Sequence, residues 1–209
     1  MTRNQNIVII NYGMGNIGSV VNMLKYIGQS PIVSKEIEEI KKADKIILPG
    51  VGHFSKAMEN LKKYNLIEVI KEKANDNKNP FLGICLGMQL LCNNSEEGNI
   101  DGLGLIDAKV KKFSFSKGLG LKIPHMGWNT TNVVQEKQGI FENIPKPHRF
   151  YFVHSYHVEC NHSENVLAQT TYGYSFTSAF SKKNIYGVQF HPEKSHQFGI
   201  SLFENFVRL

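Results

Sequence analysis

Pro80-Phe-Leu-Gly-Ile-Cys-Leu-Gly-Met-Gln-Leu-Leu-Cys92 is the segment of this 209-residue sequence with the clearest structural pattern. Residues 81–84 form a short apolar run after a proline, which predicts a buried strand, whereas residues 86–91 favour a helix. Cys85 stands between the two, with a glycine two positions away on either side. This is the spacing of a nucleophile elbow, a sharp strand-to-helix turn that exposes one reactive side chain.

The two flanking glycines, Gly83 and Gly87, have a steric explanation in such an elbow. A residue held in a strained turn leaves little room for Cβ atoms on its neighbours. Cys85 would lie at a helix N-terminus, where the positive end of the helix dipole stabilises a thiolate. The alternative is a buried structural cysteine, because a free cysteine often packs as a small hydrophobic residue. The segment therefore predicts either a nucleophile or a packing residue at position 85.

The composition predicts a single α/β domain spanning residues 1–209. With 41% hydrophobic and 20% charged residues, the chain resembles ordinary soluble globular proteins. The net charge is +6, but the lysines are scattered and form no basic stripe, so we expect no nucleic-acid partner. No apolar stretch is long enough to cross a bilayer, and residues 1–6 lead directly into a predicted strand. We therefore expect neither a membrane association nor a signal peptide.

Three cysteines are an odd number, which argues against a disulfide framework and for a reducing, cytoplasmic environment. We expect Cys92 and Cys160 to be unreactive packing residues. We expect no cofactor and no metal.

The first half of the chain alternates predicted strands and helices. The strands are residues 6–11, 31–34, 45–49 and 81–84, and the helical patterns are residues 19–27, 35–42, 54–74 and 86–91. This alternation predicts a doubly wound, mainly parallel sheet. Ligands of such sheets bind beyond the carboxyl ends of the strands, where both Pro49-Gly-Val-Gly52 and Cys85 fall.

Beyond Gly98 the pattern changes to strands joined by turns, which predicts a largely antiparallel portion. The predicted strands are residues 103–115, 121–129, 149–159, 166–170, 174–180 and 185–190, with turns at 117–118 and 183–184 and a last helix at 196–207.

A second motif ends the last predicted strand: Gly187-Val-Gln-Phe-His-Pro-Glu-Lys-Ser195. His191 and Glu193 are two residues apart, so they share one face of an extended segment. A carboxylate behind an imidazole fixes its tautomer, and the imidazole in turn accepts the proton of a thiol. Together with the elbow, the motif predicts a catalytic triad of Cys85, His191 and Glu193. His157 and Glu159 have the same spacing but lie in mid-strand, which favours cross-strand surface pairing.

Gly13, Gly15 and Gly18 form a competing pattern, G-x-G-x-x-G between a strand and a helix, with Glu36 about 20 residues further on. This pattern is typical of dinucleotide-binding folds. However, Tyr12 crowds the first glycine, and Glu36 falls in a segment typical of an exposed helix. A tight turn or a partner-facing loop is the alternative interpretation of these glycines.

The elbow, Gly83-Ile-Cys-Leu-Gly-Met-Gln89, and the segment Gln189-Phe-His-Pro-Glu-Lys-Ser195 resemble the class I (triad) glutamine amidotransferases. More narrowly, the chain is similar to the glutaminase subunits of imidazole glycerol phosphate synthases. The narrower resemblance rests on Asn11-Tyr-Gly-Met-Gly-Asn16, Pro49-Gly-Val-Gly52, Pro124-His-Met-Gly-Trp-Asn129 and Phe152-Val-His-Ser-Tyr156. It covers essentially the whole chain. It implies a flavodoxin-like, class I glutamine amidotransferase-like α/β fold, with a mainly parallel central sheet flanked by helices and an antiparallel portion in the C-terminal half.

The resemblance also implies an activity and a partner. The chain would hydrolyse L-glutamine to glutamate and ammonia through a cysteine thioester. It would pass the ammonia to a (β/α)8-barrel synthase (cyclase) subunit, with which it forms a heterodimer in L-histidine biosynthesis. A paralogous synthase that amidates nucleotide-linked sugars for surface glycans is the alternative partner. Asn11 and Gly18 depart from the family pattern, and both departures bear on the partner's identity.

The remaining site residues follow from the elbow geometry and the resemblance together. The oxyanion hole would use the backbone N–H of Leu86, next to the nucleophile, and an N–H of Val51 or Gly52. Implied substrate contacts are Gly52, Gln89, Glu97 and Ser155, and implied partner contacts are Asn16, Trp128, Asn129 and Lys194. From the residues alone, Gln89 fits a solvated helix face, Glu97 a loop charge and Trp128 core packing.

Two other functions are compatible with parts of this pattern. A cysteine peptidase or γ-glutamyl hydrolase would share the triad but has no use for the segment Pro124-His-Met-Gly-Trp-Asn129. A nucleotide-binding module would use the three glycines near the N-terminus but leaves the spacing of His191 and Glu193 unexplained.

Overall fold

Strands from both ends of the chain meet at the centre of one sheet. The computed structural model describes residues 5–116, 118–135 and 139–209, so the predicted turn at 117–118 lies partly outside the described residues. The helices are Ile17–Tyr26 (α1), Ile37–Lys41 (α2), Phe54–Lys63 (α3), Leu66–Asn75 (α4), Leu86–Leu90 (α5) and His196–Arg208 (α6). The strands are Ile7–Ile10 (β1), Ile32–Ser34 (β2), Lys45–Gly50 (β3), Phe81–Cys85 (β4), Cys92–Ser95 (β5), Ile100–Asp101 (β6), Ile106–Lys112 (β7), His125–Thr130 (β8), Asn132–Val133 (β9), Arg149–His154 (β10), Tyr156–Cys160 (β11), Val166–Tyr172 (β12), Tyr174–Lys182 (β13) and Ile185–Val188 (β14).

The main sheet is parallel in its first part, in the order β2-β1-β3-β4-β14. It continues as β13-β11-β7-β5-β6, in which the pairs are antiparallel except for β5 with β7. The predicted α/β class with a mainly parallel central sheet and an antiparallel C-terminal portion is therefore confirmed. A separate antiparallel pair, β8 with β10, lies outside this sheet.

The register of the three central strands positions the site. Gly50 of β3 lies opposite Cys85 of β4, and Val188 of β14 lies opposite Ile84. The carboxyl ends of β3, β4 and β14 therefore finish side by side at one edge of the sheet. The segment after β14, which contains His191, is in this way brought next to the elbow.

A hydrophobic layer covers each face of the central sheet. The side chains of β1 alternate between them, Val8 and Ile10 to one layer and Ile7 and Ile9 to the other. Helices α2 to α5 contribute to the first layer, for example through Phe54, Leu61 and Leu90, and helices α1 and α6 to the second, for example through Leu24, Leu202 and Phe206. Since burying one such large apolar side chain stabilises a fold by about 1.5–3 kcal/mol, these layers hold the strand order in place.

Two predicted elements are each two elements in the structure. The helical pattern at 54–74 breaks after Lys63, because Asn65 adopts a left-handed conformation (φ 55°), which asparagine tolerates better than most residues. The predicted strand 149–159 breaks at Ser155. There the chain leaves its partner β8 and joins β7 of the main sheet, so the same apolar run serves two sheets. The pattern also gave no indication of β5 and β6, which are short and polar.

Within the described ranges, none of the helices combines the length and the hydropathy that a bilayer crossing requires.

Candidate active site

Cys85 is the last residue of β4 and the N-cap residue of α5, in a strained backbone conformation with φ 53° and ψ −109°. A Cβ atom on Gly87 would lie 1.8 Å from the carbonyl oxygen of Leu48, and one on Gly83 would lie 2.8 Å from the carbonyl oxygen of Gly87. The neighbouring backbone thus fills the space where larger residues would project. The segment therefore has the elbow geometry that the glycine spacing predicts.

The structure brings the three predicted triad residues together. The Nδ1 atom of His191 lies 2.7 Å from the Oε1 atom of Glu193, and both side chains are only 1% exposed. Because a carboxylate only accepts, Nδ1–H is the donor, which leaves Nε2 as the atom that exchanges a proton. This Nε2 atom is buried and has no hydrogen-bond partner among the described residues. His191 and Cys85 border the same cavity.

The charge of His191 is set by its two neighbours. Burial by itself lowers the pKa of His191, but the Cys85 sulfur and the Glu193 carboxylate together raise it to about 10. Cys85 and His191 do not meet the geometry of an ordinary hydrogen bond, so we attribute their coupling to charge. Hydrogen bonds between a base and its nucleophile are often long before substrate binds and shorten in the complex with substrate. The arrangement favours the imidazolium form of His191 beside the Cys85 sulfur.

A cavity of about 290 Å³ opens over the Cys85 sulfur. Every residue predicted for the oxyanion hole or for substrate contact borders it: Val51, Gly52, Leu86, Gln89, Glu97 and Ser155. A larger cavity of about 860 Å³ lies elsewhere, between residues 130–135 and 141–148, and none of its described lining residues belongs to the predicted site. The chemistry of the lining, and not the size, therefore identifies the candidate site.

Gln89 and Glu97 are both held by the fold. Gln89 is 4% exposed, and its Nε2 atom donates to the backbone oxygen of Tyr156 and to Oε1 of Gln189, each at 3.0 Å. Glu97 accepts a hydrogen bond of 2.8 Å from the backbone N–H of Phe54, the first residue of α3. A solvated helix face for Gln89 and a free loop charge for Glu97 do not describe these environments.

The four predicted partner contacts fall into two groups. Trp128 is 40% exposed and stacks on His196, with ring centroids 5.5 Å apart and planes 6° apart, and Lys194 is exposed beside the ring of Tyr151. Core packing is therefore excluded for Trp128. The other two, Asn16 and Asn129, use their amides inside the molecule. Asn16 donates to Glu193 Oε1 at 3.3 Å, and Asn129 lies 3.2 Å from His125 Nε2 and donates to the backbone oxygen of Thr171.

The glycine loop near the N-terminus packs beside this site. Gly13 and Gly15 have positive φ angles of 84° and 128°, and a Cβ atom on Gly15 would lie 3.2 Å from Pro49. Glu36 is exposed at the N-cap position of α2 and makes no side-chain capping hydrogen bond. These contacts favour the interpretation as a tight turn against the Pro49–Gly52 segment. Among the described residues there is no group of three or more His, Cys, Asp or Glu side chains that could hold a metal ion.

Several residues near the site were not singled out from the sequence. His125 Nδ1 lies 2.9 Å from His154 Nε2, and His154 Nδ1 lies 2.8 Å from the backbone oxygen of Tyr156. Burial lowers the pKa of His125 to about 4 and that of His154 to about 3, so both rings are neutral. Gln189, which lies against Cys85, could have been found from its place two residues before His191 in the motif that follows β14. The expected extended face for His191 and Glu193 is wrong: Pro192–Lys194 form a 3-10 helical turn, and this turn brings Glu193 Oε1 to His191 Nδ1.

The interpretation of the second histidine–glutamate pair was half wrong. Glu159 does form a cross-strand ion pair, with Lys111. His157 is buried instead, because the rings of Phe113 and Tyr174 pack against its imidazole, and its Nε2 atom lies 2.9 Å from the hydroxyl of Tyr174.

The two other thiols lie in environments that disfavour a thiolate. Burial raises the pKa of Cys160 to about 11 and that of the fully buried Cys92 well above its usual range. Both are therefore poor nucleophiles.

A strained cysteine at a strand–helix turn, with a buried histidine and glutamate beside it, is the arrangement that elbow-type cysteine hydrolases use. The family model described as glutamine amidotransferase class I matches residues 8–209, and the chain belongs to this family. The imidazole glycerol phosphate synthase subunit HisH 2 of Methanococcus maripaludis is 54% identical over 202 residues, which are 97% of this chain and 98% of that relative. The subunit HisH of Sulfurimonas denitrificans is 48% identical over 204 residues, 97% of each chain.

Solved structures show the same fold at low sequence identity. PurLQS from Thermotoga maritima superimposes with a TM-score of 0.71 at 18% identity, covering 99% of both chains. A glutamine amidotransferase from the same organism gives a TM-score of 0.64 at 18% identity, covering 99% of this chain and 84% of that one.

Proposed function

We propose that this chain is the glutaminase subunit of a heteromeric amidotransferase, an imidazole glycerol phosphate synthase of L-histidine biosynthesis. It hydrolyses L-glutamine to glutamate and ammonia and passes the ammonia to a synthase (cyclase) partner. The observation that carries the proposal is the meeting of Cys85, at a positive φ, with the buried pair of His191 and Glu193 over a cavity. The names of the similar proteins from Methanococcus maripaludis and Sulfurimonas denitrificans support the choice of pathway.

In the first half of the reaction, the Cys85 thiolate attacks the side-chain carboxamide carbon of glutamine. The carbonyl oxygen becomes an oxyanion, which requires preorganised donors. The backbone N–H of Leu86 is one donor, and an N–H of Val51 or Gly52, at the end of the adjacent strand, is the other. His191 then gives its proton to the nitrogen as the C–N bond breaks, and ammonia leaves a thioester on Cys85.

In the second half, the neutral His191 removes a proton from water as the water attacks the thioester carbon. The C–S bond breaks, its electron pair returns to sulfur, and glutamate is released. Glu193 stabilises the imidazolium in both halves through its 2.7 Å hydrogen bond. Gln89, Glu97 and Ser155 border the cavity where the amino-acid end of the substrate would bind.

The synthase subunit, a (β/α)8 barrel in the proposed heterodimer, docks over this cavity. Direct transfer is necessary because ammonia that escapes into water is protonated and no longer nucleophilic. The exposed side chains of Trp128 and Lys194 provide an aromatic anchor and a charge, which are common in protein interfaces. Asn16 and Asn129 act at the edge of this interface, each already bonded to an internal group. We place the reaction in the cytoplasm, where the three free cysteines stay reduced.

Glutamate release from L-glutamine by the purified chain, with and without the histidine-pathway cyclase subunit, tests the proposal. We expect turnover that rises on addition of the cyclase and is abolished in Cys85→Ser, while Cys160→Ser keeps wild-type turnover. Stimulation only by a nucleotide-sugar synthase would assign the chain to the alternative pathway. Full turnover in Cys85→Ser, or labelling of another residue by an electrophilic glutamine analogue, would refute the mechanism.

A further inference from the structure

The carboxamide of Gln189 lies against the sulfur of Cys85. Gln189 is completely buried, and its Nε2 atom is 3.7 Å from Cys85 Sγ, within hydrogen-bond range for sulfur. The fold determines this approach, because Gln189 directly follows β14 and the preceding residue, Val188, lies opposite Ile84 in β4. Gln189, which follows β14, and Cys85, which ends β4, are therefore neighbours.

The orientation of the Gln189 carboxamide can be deduced from the hydrogen bond between Gln89 and the backbone oxygen of Tyr156. The backbone oxygen of Tyr156 can only accept, so the Gln89 atom 3.0 Å from it must be the amide nitrogen. The Gln189 atom 3.0 Å from that same nitrogen must then be an oxygen. It follows that the amide nitrogen of Gln189, and not its oxygen, faces the Cys85 sulfur.

We propose that Gln189 is a positioning residue that donates a hydrogen bond to the Cys85 sulfur, stabilises it as a thiolate and fixes its direction. A hydrogen bond to an ionised acceptor is stronger than one to a neutral acceptor. The N–H of Gln189 therefore favours the thiolate over both the thiol and the thioester. Gln89 acts indirectly. Its amide nitrogen holds the oxygen of the Gln189 carboxamide, so the nitrogen of Gln189 faces the sulfur.

The contribution of Gln189 differs from that of the titratable groups around the sulfur. The groups that border the sulfur or its cavity in the described part of the chain are Tyr12, Glu97, His154, Tyr156 and His191, with Glu193 behind His191. Burial and Cys85 raise the pKa of Tyr12 far above its usual range, and burial lowers the pKa of His154 to about 3, so both are neutral. His191 is the group that exchanges a proton with the sulfur. Gln189 cannot titrate, so replacing it with an apolar residue removes its hydrogen bonds to Cys85 and Gln89 without removing a titratable group.

For turnover, this inference rests on the proposed glutaminase function. When water attacks the thioester, the C–S bond breaks and its electron pair moves to sulfur. Gln189 stabilises the sulfur as it becomes anionic, while His191 takes the proton of the water. Removal of Gln189 would therefore slow breakdown of the thioester.

The rate of alkylation of Cys85 by iodoacetamide as a function of pH tests the proposal in the full chain. Tandem mass spectrometry distinguishes Cys85 from Cys92 and Cys160. In Gln189→Leu we expect the midpoint of the alkylation profile to move to higher pH by about 1 pH unit, with an about tenfold lower rate at pH values below the wild-type midpoint. Gln189→Glu, which places a negative charge beside the sulfur, is expected to move the midpoint further.

Asn205→Leu is the matched control. Asn205 is another buried carboxamide, 3% exposed, and its Nδ2 atom donates to the backbone oxygens of Ile140 and Glu142, away from Cys85. We expect this variant to lose thermal stability but to keep the wild-type alkylation midpoint. If Gln189→Leu fails to fold, Gln189→Met, which also lacks a donor, has the same expected shift.

An unchanged midpoint in a folded Gln189 variant would overturn the proposal, as would an equal shift in Asn205→Leu. Alkylation requires neither glutamine nor a partner. If the Gln189 variants shift the alkylation midpoint as expected but the wild-type chain shows no glutaminase turnover, the proposed function is contradicted. The role of Gln189 at the sulfur is then unaffected.

Discussion

Glu193 Oε1 accepts a 2.7 Å hydrogen bond from His191 Nδ1 in a position where both side chains are shielded from water. Because the site is buried, the negative charge of Glu193 acts on the imidazolium with little screening. We expect Glu193→Gln to lower glutaminase kcat by about 10–100-fold, the effect of removing one charged hydrogen bond of about 1.5–3 kcal/mol. Cys85→Ser should abolish turnover, so Glu193→Gln should retain more glutaminase activity than Cys85→Ser. Equal loss in both variants would contradict this order.

The protonation of His191 is expected to depend on Cys85. Burial disfavours the imidazolium, and the Cys85 sulfur is the first of the groups that oppose this and raise the pKa of His191 to about 10. In Cys85→Ala we therefore expect the pKa of His191 to fall, as measured by NMR titration of its ring Cε1–H resonance. Cys160→Ala provides the control and should leave the titration unchanged. An unaltered His191 titration in Cys85→Ala would show that the two groups are not coupled.

Acid is expected to destabilise the fold through its buried histidines. Burial lowers the pKa of His125 to about 4 and that of His154 to about 3, whereas in the unfolded chain both titrate near 6.5. Below pH 6.5 the unfolded state therefore binds more protons. The free energy of unfolding should fall by about 1.4 kcal/mol per pH unit for each ring as pH decreases from about 6.5 towards about 4.

Urea unfolding at pH 7 and pH 5 measures this dependence. His154→Phe, which cannot titrate, should show a smaller loss between the two pH values, even if it is less stable at pH 7. Equal stability of the wild-type chain at pH 7 and pH 5 would refute the prediction.

The elbow should tolerate no side chain at Gly87. A Cβ atom there would lie 1.8 Å from the carbonyl oxygen of Leu48, so Gly87→Ala requires the backbone of β3 or α5 to move. We expect a loss of about 3 kcal/mol or more in the free energy of unfolding. Gly18, exposed in α1 with nothing within 4 Å of its Cβ position, is the control. Gly18→Ala should stabilise the chain by about 0.5–1 kcal/mol, and a larger loss there than at Gly87 would contradict the steric explanation.

Trp128→Ala should weaken binding of the synthase subunit. An exposed aromatic anchor at the centre of an interface commonly contributes more than 1 kcal/mol, so we expect Kd to rise about tenfold or more. Tyr26→Ala is a matched control, since Tyr26 is 75% exposed at the end of α1. Isothermal titration calorimetry with the cyclase subunit measures both variants. Unchanged affinity in Trp128→Ala would remove this residue from the proposed interface.

Local patterns in the sequence were sufficient to predict most of the strands and helices. The alternation of apolar strands with helical patterns predicted the parallel half, and the glycines around Cys85 predicted its turn, because each depends on residues close in sequence. The patterns missed the short, polar strands β5 and β6, and they failed at Asn65 and Ser155. There, an apolar periodicity continues across a change of direction that no glycine or proline marks.

The sequence by itself determined the chemical groups of this protein: one cysteine in an elbow and one His-x-Glu pair at a strand end. Only the tertiary structure decided that they meet, and that Gln89 and Gln189, 100 residues apart, orient the amide that faces the sulfur. The physical reason lies in the strand order β3-β4-β14 and its register. Strand order is set by burial of both faces of the sheet and by long-range backbone pairing. Neither can be recognised in the local sequence around the residues that become neighbours.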